Sequence, residues 1–462
     1  MIAPGRPRAH RVTATAGAGG AGRLEAAFCF LALSTFLGAY ATIPLRLQGA
    51  SIAGGESNPF NAASMAFVLV GTLGLIAANW RGSFAAARAG GPVNLFVALA
   101  LASALWSFDP AVTLRRSLTL VQMVLFAYYL AARFPLERVI RLLSSVLGVA
   151  LVLSAVLALA VPDVGIMQDA DVAGAWCGVF AHKSALGGAC TLGTLCFAWR
   201  WAHEPGRRVR HGAGILLCVC LAVLSMSKTA QLTIALLGPG AVYLRLLRVP
   251  GLGKLWAAYA TVAVLAAVAA VSVVFFAELT EAVGKDPTLT GRVPVWESLF
   301  DFASERLLGG YGYTAFFVVE NPDVEDVWRR GGWNMWDAHN TALGLLVELG
   351  VPGLVLSQWI LLGAIWRSLR AFSGGGVPWA GFAAGYTLSQ AVLSLVEMSM
   401  FRGDLHSVLL PLLYVALRQQ ASEARAMAPQ APCPQAAAPR VAATGPGRVP
   451  DAAPAARGRR WG

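Results

Sequence analysis

The residues best suited to chemistry lie in one polar interval, Thr290 to Leu354, of an otherwise apolar chain. Its histidine, His339, follows Asp337 and precedes a hydrophobic run. Asp337 is a good helix cap, so the pattern predicts a helix from Ala338 with His339 in its first turn. The positive end of a helix disfavours imidazolium, and a neutral imidazole can act as a general base. Taken alone, a histidine at a helix start is more often a solvated or hydrogen-bonded residue than a catalyst. Arg292 is held between Gly291 and Pro294, at the start of another predicted helix with Thr290 as its candidate cap. A cation there opposes the helix dipole, a hint that it serves something other than the helix; alone it would read as a side chain snorkelling to an interface. Glu348 lies well inside the run that follows His339. An acid at that depth needs a partner or a water-filled cavity.

The elements that must position these side chains are helices in a membrane. The chain is 57% hydrophobic and 13% charged, against roughly 25% charged in soluble domains. Its apolar residues fall in blocks of about 16–24, the length a helix needs to cross a bilayer. Open sheets cannot satisfy their backbone in lipid. The expected fold is an all-α polytopic membrane protein. About twelve transmembrane spans are expected at 24–44, 61–80, 92–107, 117–132, 139–161, 184–201, 212–226, 229–247, 255–277, 338–366, 378–397 and 404–418. A kink is expected at Gly238-Pro239-Gly240. The large loop, 278–337, separates the ninth and tenth spans. Residues 1–22 and 419–462 read as disordered tails around a membrane domain of 23–418.

Charge orients this arrangement. With the N-terminus inside, the inner loops hold fourteen Lys and Arg and the short outer loops six. Cytoplasmic loops collect positive charge, so both termini are expected in the cytoplasm and the long loop outside, periplasmic in a diderm bacterium. The same rule accounts for the net charge of +12. No folded basic module is visible, so nucleic acid is not an expected partner; membrane lipid is.

Within the long loop, residues 293–308 predict an amphipathic helix. Trp296, Leu299, Phe300, Ala303 and Leu307 share one face, with Glu297, Asp301 and Glu305 on the other. Such a helix can lie along a membrane surface. Gly309-Gly310-Tyr311-Gly312 reads as flexible punctuation; no βαβ unit surrounds it, which excludes a nucleotide loop. Acidic residues, two arginines and Trp333 and Trp336 follow. Residues 338–349 would span about 18 Å at ~1.5 Å per residue before an interruption at Gly350-Val351-Pro352-Gly353.

Several short motifs, in order, resemble the O-antigen ligase and polysaccharide polymerase family. They are Thr290-Gly291-Arg292 with Trp296, Gly310-Tyr311-Gly312, Ala338-His339-Asn340, and Glu348-Leu349-Gly350 to Gly353-Leu354. Gly178 to Lys183 with Leu186-Gly187 is similar to the exopolysaccharide-polymerase branch, and Ser225-Met226-Ser227-Lys228-Thr229 to a further family motif. The likeness covers roughly residues 175–355. Lys228 stands where the family commonly has Arg, and Ser184 where that branch commonly has Asn. Lysine keeps the charge but loses the planar fork.

The resemblance implies a glycosyltransferase in the cell inner membrane, acting on its outer face without a metal or other cofactor. The donor would be a glycan on undecaprenyl diphosphate. The acceptor would be a sugar hydroxyl on lipid A–core or on another lipid-linked repeat, and other polysaccharide-assembly proteins are candidate partners. Departure of a diphosphate needs cations aimed at the developing charge. Arg292, Lys228 and Lys183 are the candidates, with His339 as base and His182 second. Glu348 is assigned to substrate binding. Polymerase is favoured over ligase by the His182-Lys183 segment. Two rivals stand beside this. Asp169-Ala170-Asp171 would suit a metal-using lipid-sugar transferase. A lipid-linked-oligosaccharide flippase or other transporter fits twelve spans, but the chain lacks two similar halves.

Overall fold

The computed structural model describes residues 20–40, 43, 59–169, 172–246, 292–318, 320–332 and 334–426. The expected span at 255–277, the loop to Gly291, Thr290, Trp333 and the Ala170-Asp171 half of the D-x-D pattern lie outside those residues, as do both chain ends. So does the side chain of Arg292. Contacts divide the chain at Gln420. The following concerns the unit ending there; of the second unit, residues 421–426 are described, as helix.

The described residues are helical and contain no strand; one isolated bridge joins Ile166 and Trp176. The longer helices are α1 (Gly20–Phe36), α2 (Pro59–Ala78), α3 (Trp80–Ala89), α4 (Gly91–Ala102), α5 (Pro110–Arg133), α6 (Leu136–Ala160) and α7 (Lys183–His203). After them come α8 (Arg208–Leu224), α9 (Lys228–Leu246), α10 (Arg292–Glu305), α11 (Pro322–Gly331), α12 (Thr341–Ser373), α13 (Ala380–Leu393) and α14 (His406–Ala426). Three of these, α2, α6 and α12, are long and apolar enough to cross a bilayer alone, and the pair α3 with the stretch Gly91–Leu105, bent by 88°, makes a fourth if counted as one span. The chain therefore has the several apolar helices of a polytopic membrane protein. Residues 81–91, expected as a loop, instead form most of α3, whose Trp80 and Phe84 are exposed beside Arg81 and Arg88. Helix α9 runs through Pro239.

The helix at 293–308 forms as α10, but its buried face is rotated from the expected one. Val295, Leu299 and Ala303 are buried, while Phe300 and Leu307 are 62% and 48% exposed. The buried face packs into a cluster with Val324, Val327 and Val347 of α11 and α12. Protein, rather than lipid alone, therefore covers this helix. Helix α11 was not foreseen. Its ends are nonetheless well formed: Asn321 caps it through Asp323 N–H, Pro322 occupies the first turn, Arg329 and Arg330 the last, and Gly332 closes it in the left-handed region.

Helix α12 is two helices joined at Gly350, whose φ of 67° and ψ of −166° are not helical. Pro352 has no N–H, so the carbonyl of Glu348 has no helical donor. Val351 N–H turns away to the Leu307 carbonyl, 2.7 Å, which strands the Val347 carbonyl too. The Gly310–Gly312 segment fills both positions: Tyr311 N–H donates to Val347 O and Gly312 N–H to Glu348 O, each at 2.9 Å. Its other edge is bonded to the turn between α4 and α5. Phe108 N–H reaches Tyr311 O at 2.9 Å, Tyr313 N–H reaches Ser103 Oγ at 3.0 Å, and the Trp106 indole reaches Gly309 O at 2.8 Å. The expected flexible punctuation is thus a bonded seam, because a broken helix in apolar surroundings must find donors elsewhere.

Glycine is required at the joint. A Cβ on Gly350 would lie 2.4 Å from Leu307 O, and one on Gly310 2.4 Å from the Glu348 carbonyl carbon, both at positive φ. Gly350→Ala should destabilise the purified protein by about 1–3 kcal/mol from backbone strain alone, read as a lowered unfolding temperature in detergent. Gly212→Ala, in α8 with open space around it, should be neutral or slightly stabilising. Equal unfolding temperatures for the two variants would contradict the joint.

Candidate active site

The start of α12 lies three residues past the expected position. Asn340, not Asp337, is the N-cap: its side chain accepts from Leu343 N–H at 3.0 Å. Asp337 instead accepts from His339 N–H at 2.7 Å. His339 therefore sits ahead of the helix rather than in its first turn, and the dipole argument for a neutral ring does not apply. Its φ of 45° is in the left-handed region, which bulky side chains rarely adopt. The Trp296 indole of α10 donates to Ala338 O at 2.8 Å and fixes the approach. Met226, Thr314 and Phe401 are also left-handed, one in each of three neighbouring loops. Strained residues of this kind persist where surrounding structure over-determines them.

The loop after α13 wraps the start of α12. Thr341 N–H donates to Ser394 O at 2.9 Å, Thr341 Oγ1 donates to Glu397 O at 2.8 Å, and Ser399 N–H donates back to Thr341 Oγ1 at 3.0 Å. This delivers the Glu397 carboxylate to the histidine: His339 Nδ1 lies 3.1 Å from Glu397 Oε2 and 3.5 Å from Asp337 Oδ1. A carboxylate can only accept, so Nδ1 carries a hydrogen, and in the neutral ring the lone pair is on Nε2. Sequence reasoning missed Glu397. It stands 58 residues from His339, and its one signal was an acid at the end of an expected span.

The other Glu397 oxygen reaches α9. Thr229 Oγ1 donates to Glu397 Oε1 at 3.5 Å, so Lys228, the first residue of α9, is brought to the same end as His339. Helix α7 packs closely beside it because Gly187 has no side chain. A Cβ there would be 2.8 Å from Ala230 Cβ and 2.9 Å from Ser227 Cβ. Small residues are what allow helix backbones in membranes to approach. Lys183 and Lys228, the first residues of α7 and α9, consequently stand at the same end of this helix pair. Two ammonium groups that repel each other are relieved by an anion between them. His182 caps α7, its Nδ1 accepting from Ser184 N–H at 3.2 Å; its exposed ring thereby has a structural task.

Glu348 has the partner its depth required. Arg402 Nη1 lies 2.7 Å from Glu348 Oε1, with the glutamate side chain 1% exposed. Arg402 is carried between Phe401, whose carbonyl accepts from the buried Tyr313 hydroxyl, and Gly403 in the left-handed region. Arg116 of α5 donates to Thr314 O at 2.5 Å. Among the described residues no group of three His, Cys, Asp or Glu is arranged to hold a metal. The structure thus brings His339, Glu397, Thr229, Lys228 and Lys183 together, places Glu348 in a buried ion pair, and leaves the Arg292 side chain outside the described atoms while setting its backbone at the start of α10.

Residues 213–357, which contain Lys228, Arg292, His339 and Glu348, match the family model described as O-Antigen ligase. Over 207 residues the chain is 30% identical to the "Exopolysaccharide production protein ExoQ" of Rhizobium meliloti (strain 1021). That match covers 42% of this chain and 46% of the relative, so the chain spans about half the length of the curated relative it matches. The motifs from Ser225 to Leu354 fall within the matched region, and over that region the chain is similar to the O-antigen ligase and polysaccharide polymerase family.

Proposed function

We propose that this protein is a membrane glycosyltransferase that moves a glycan from undecaprenyl diphosphate to a sugar hydroxyl, on the periplasmic face of the inner membrane. The observation that carries the proposal is the His339–Glu397 contact at 3.1 Å, beside the Lys183 and Lys228 charges. His339 Nε2 takes the proton of the acceptor hydroxyl. The acceptor oxygen forms a bond to the anomeric carbon as that carbon's bond to the carrier diphosphate breaks. The diphosphate leaves with the electron pair; Lys183 and Lys228 are assigned to the charge that grows on it, and Arg292 is the third cation assigned that role from its motif. Glu397 holds the ring and stabilises the imidazolium formed, as a carboxylate does behind a catalytic histidine elsewhere. Glu348 contributes through Arg402, which it holds at this end of the bundle.

His339→Ala should lower turnover by roughly 10²–10⁴-fold, the usual range for a positioned acid or base. Glu397→Ala should cost less, about tenfold or more, and the double variant should be no worse than His339→Ala alone, because both act through one ring. Single-turnover transfer from a defined lipid diphosphate donor measures this, with protein level in the membrane as control. Near-normal turnover in His339→Ala would remove the histidine from the chemistry.

The orientation follows from charge. Both termini and the 202–211 loop are assigned to the cytoplasm and residues 278–337 to the periplasm, in a bundle of about twelve spans. A reporter inserted near Asp323 should be active only in a periplasmic format; cytoplasmic activity there would reverse the assignment.

Polymerase is the preferred activity. The His182-Lys183 segment and the relative's name, exopolysaccharide production protein, support it. A deletion strain should lose long polymer and accumulate single lipid-linked repeats. Full-length polymer retained on the carrier, with bare lipid A–core, would make the protein a ligase.

A further inference from the structure

Helix α11 borders a cavity that the chemistry above does not use. Its volume is about 880 Å³, within the usual range for small-molecule sites. Glu320, Asn321, Glu325 and Asn334 line it with amide and carboxylate groups, and Trp328 supplies an aromatic wall. The Trp328 ring cannot swing freely: its indole N–H donates to Met335 O at 2.7 Å, and Trp336 stands edge-on to it at 5.4 Å. Arg329 also borders the cavity, but Asp326 already engages its guanidinium. Asn334 and Trp336 precede His339 by five and three residues, so the cavity opens beside the segment that carries the base.

The lining selects a ligand class. Two carboxylates and an arginine already paired make it unsuited to a phosphate or other anion. Among the described residues Trp328 and Pro322 are its apolar walls, a small share of the lining for a lipid chain. Fixed aromatic surface beside amides and carboxylates matches a sugar, whose ring presents a C–H face and whose hydroxyls both donate and accept. We infer that the α11 cavity is a binding subsite for neutral sugar residues of the glycan, next to the reacting end. The inference rests on the glycosyltransferase reading for its biological role, but binding can be measured without turnover.

The test uses the full-length protein in nanodiscs. The probe is the neutral oligosaccharide fraction hydrolysed from the surface polysaccharide of the source strain, with affinity read by calorimetry. The wild-type protein should bind it. The Glu325→Gln, Asn334→Ala double variant changes two exposed side chains and should bind about tenfold more weakly, the effect of roughly one or two lost hydrogen bonds. His339→Ala should bind as the wild type does. That arm separates the two ideas: loss of turnover without loss of binding concerns the base, and loss of binding in the double variant concerns the cavity. No binding by the wild type, or equal binding by the double variant, would overturn the subsite. Spermidine binding that disappears in the double variant, with oligosaccharide binding intact, would also overturn it, in favour of a cation.

Discussion

Where Gly350 interrupts α12, the carbonyls of Val347 and Glu348 lose their helical donors, and in an apolar bundle such acceptors must be met or the break cannot persist. Tyr311 and Gly312 meet them. That exchange fixes the segment after α10 to the bundle. It also defines a short helical segment, 341–349, with His339 just ahead of one end and Glu348 at the other. The same loop segment is bonded to the turn before α5. The turn between α4 and α5, the segment after α10 and the short helix behind His339 are therefore joined by one hydrogen-bonded seam.

The charges are arranged around that segment. A buried ion pair costs desolvation that its Coulomb attraction only partly offsets, so Glu348–Arg402 is a poor source of stability by itself. Its geometric effect is clearer. Arg402 lies on the loop that also carries Glu397, and Glu397 touches both His339 and Thr229. Holding Arg402 at Glu348 holds that loop across the segment's two ends. Removing one member of the pair would leave the other charge buried and unmatched, the costlier defect.

Much of this was legible in sequence. Apolar block lengths place helices within a few residues of α2, α6, α7, α8 and α9, while α5 begins seven residues ahead of its expected span. The Gly350-Pro352 interruption was readable because glycine and proline alter the backbone itself. Glu348 announced that it needed a partner. What stayed hidden was contact between distant segments. Nothing local to Arg402 or Glu397 points to Glu348 or His339, and the helix-start signal at Asp337 was overridden by Asn340. The buried face of α10 shifted because Phe300 and Leu307 found no protein surface while Val295 did. Helix α11 was missed although Asn321-Pro322 and Gly332 mark its ends; its polar middle gave no apolar period strong enough to suggest it.

The seam at Gly310–Gly312 meets α12 through main chain alone, while the Ser103 and Trp106 side chains help hold its other edge. On the α12 side such a joint depends little on the identity of the side chains around it, provided glycine occupies the few crowded positions. The surface of α11 and the residues bordering its cavity can then change without loosening the frame that holds the histidine. A scaffold of that kind can keep one backbone frame fixed while the groups presented on its surface differ in size, shape and charge, much as a lathe keeps its spindle while the chuck is exchanged.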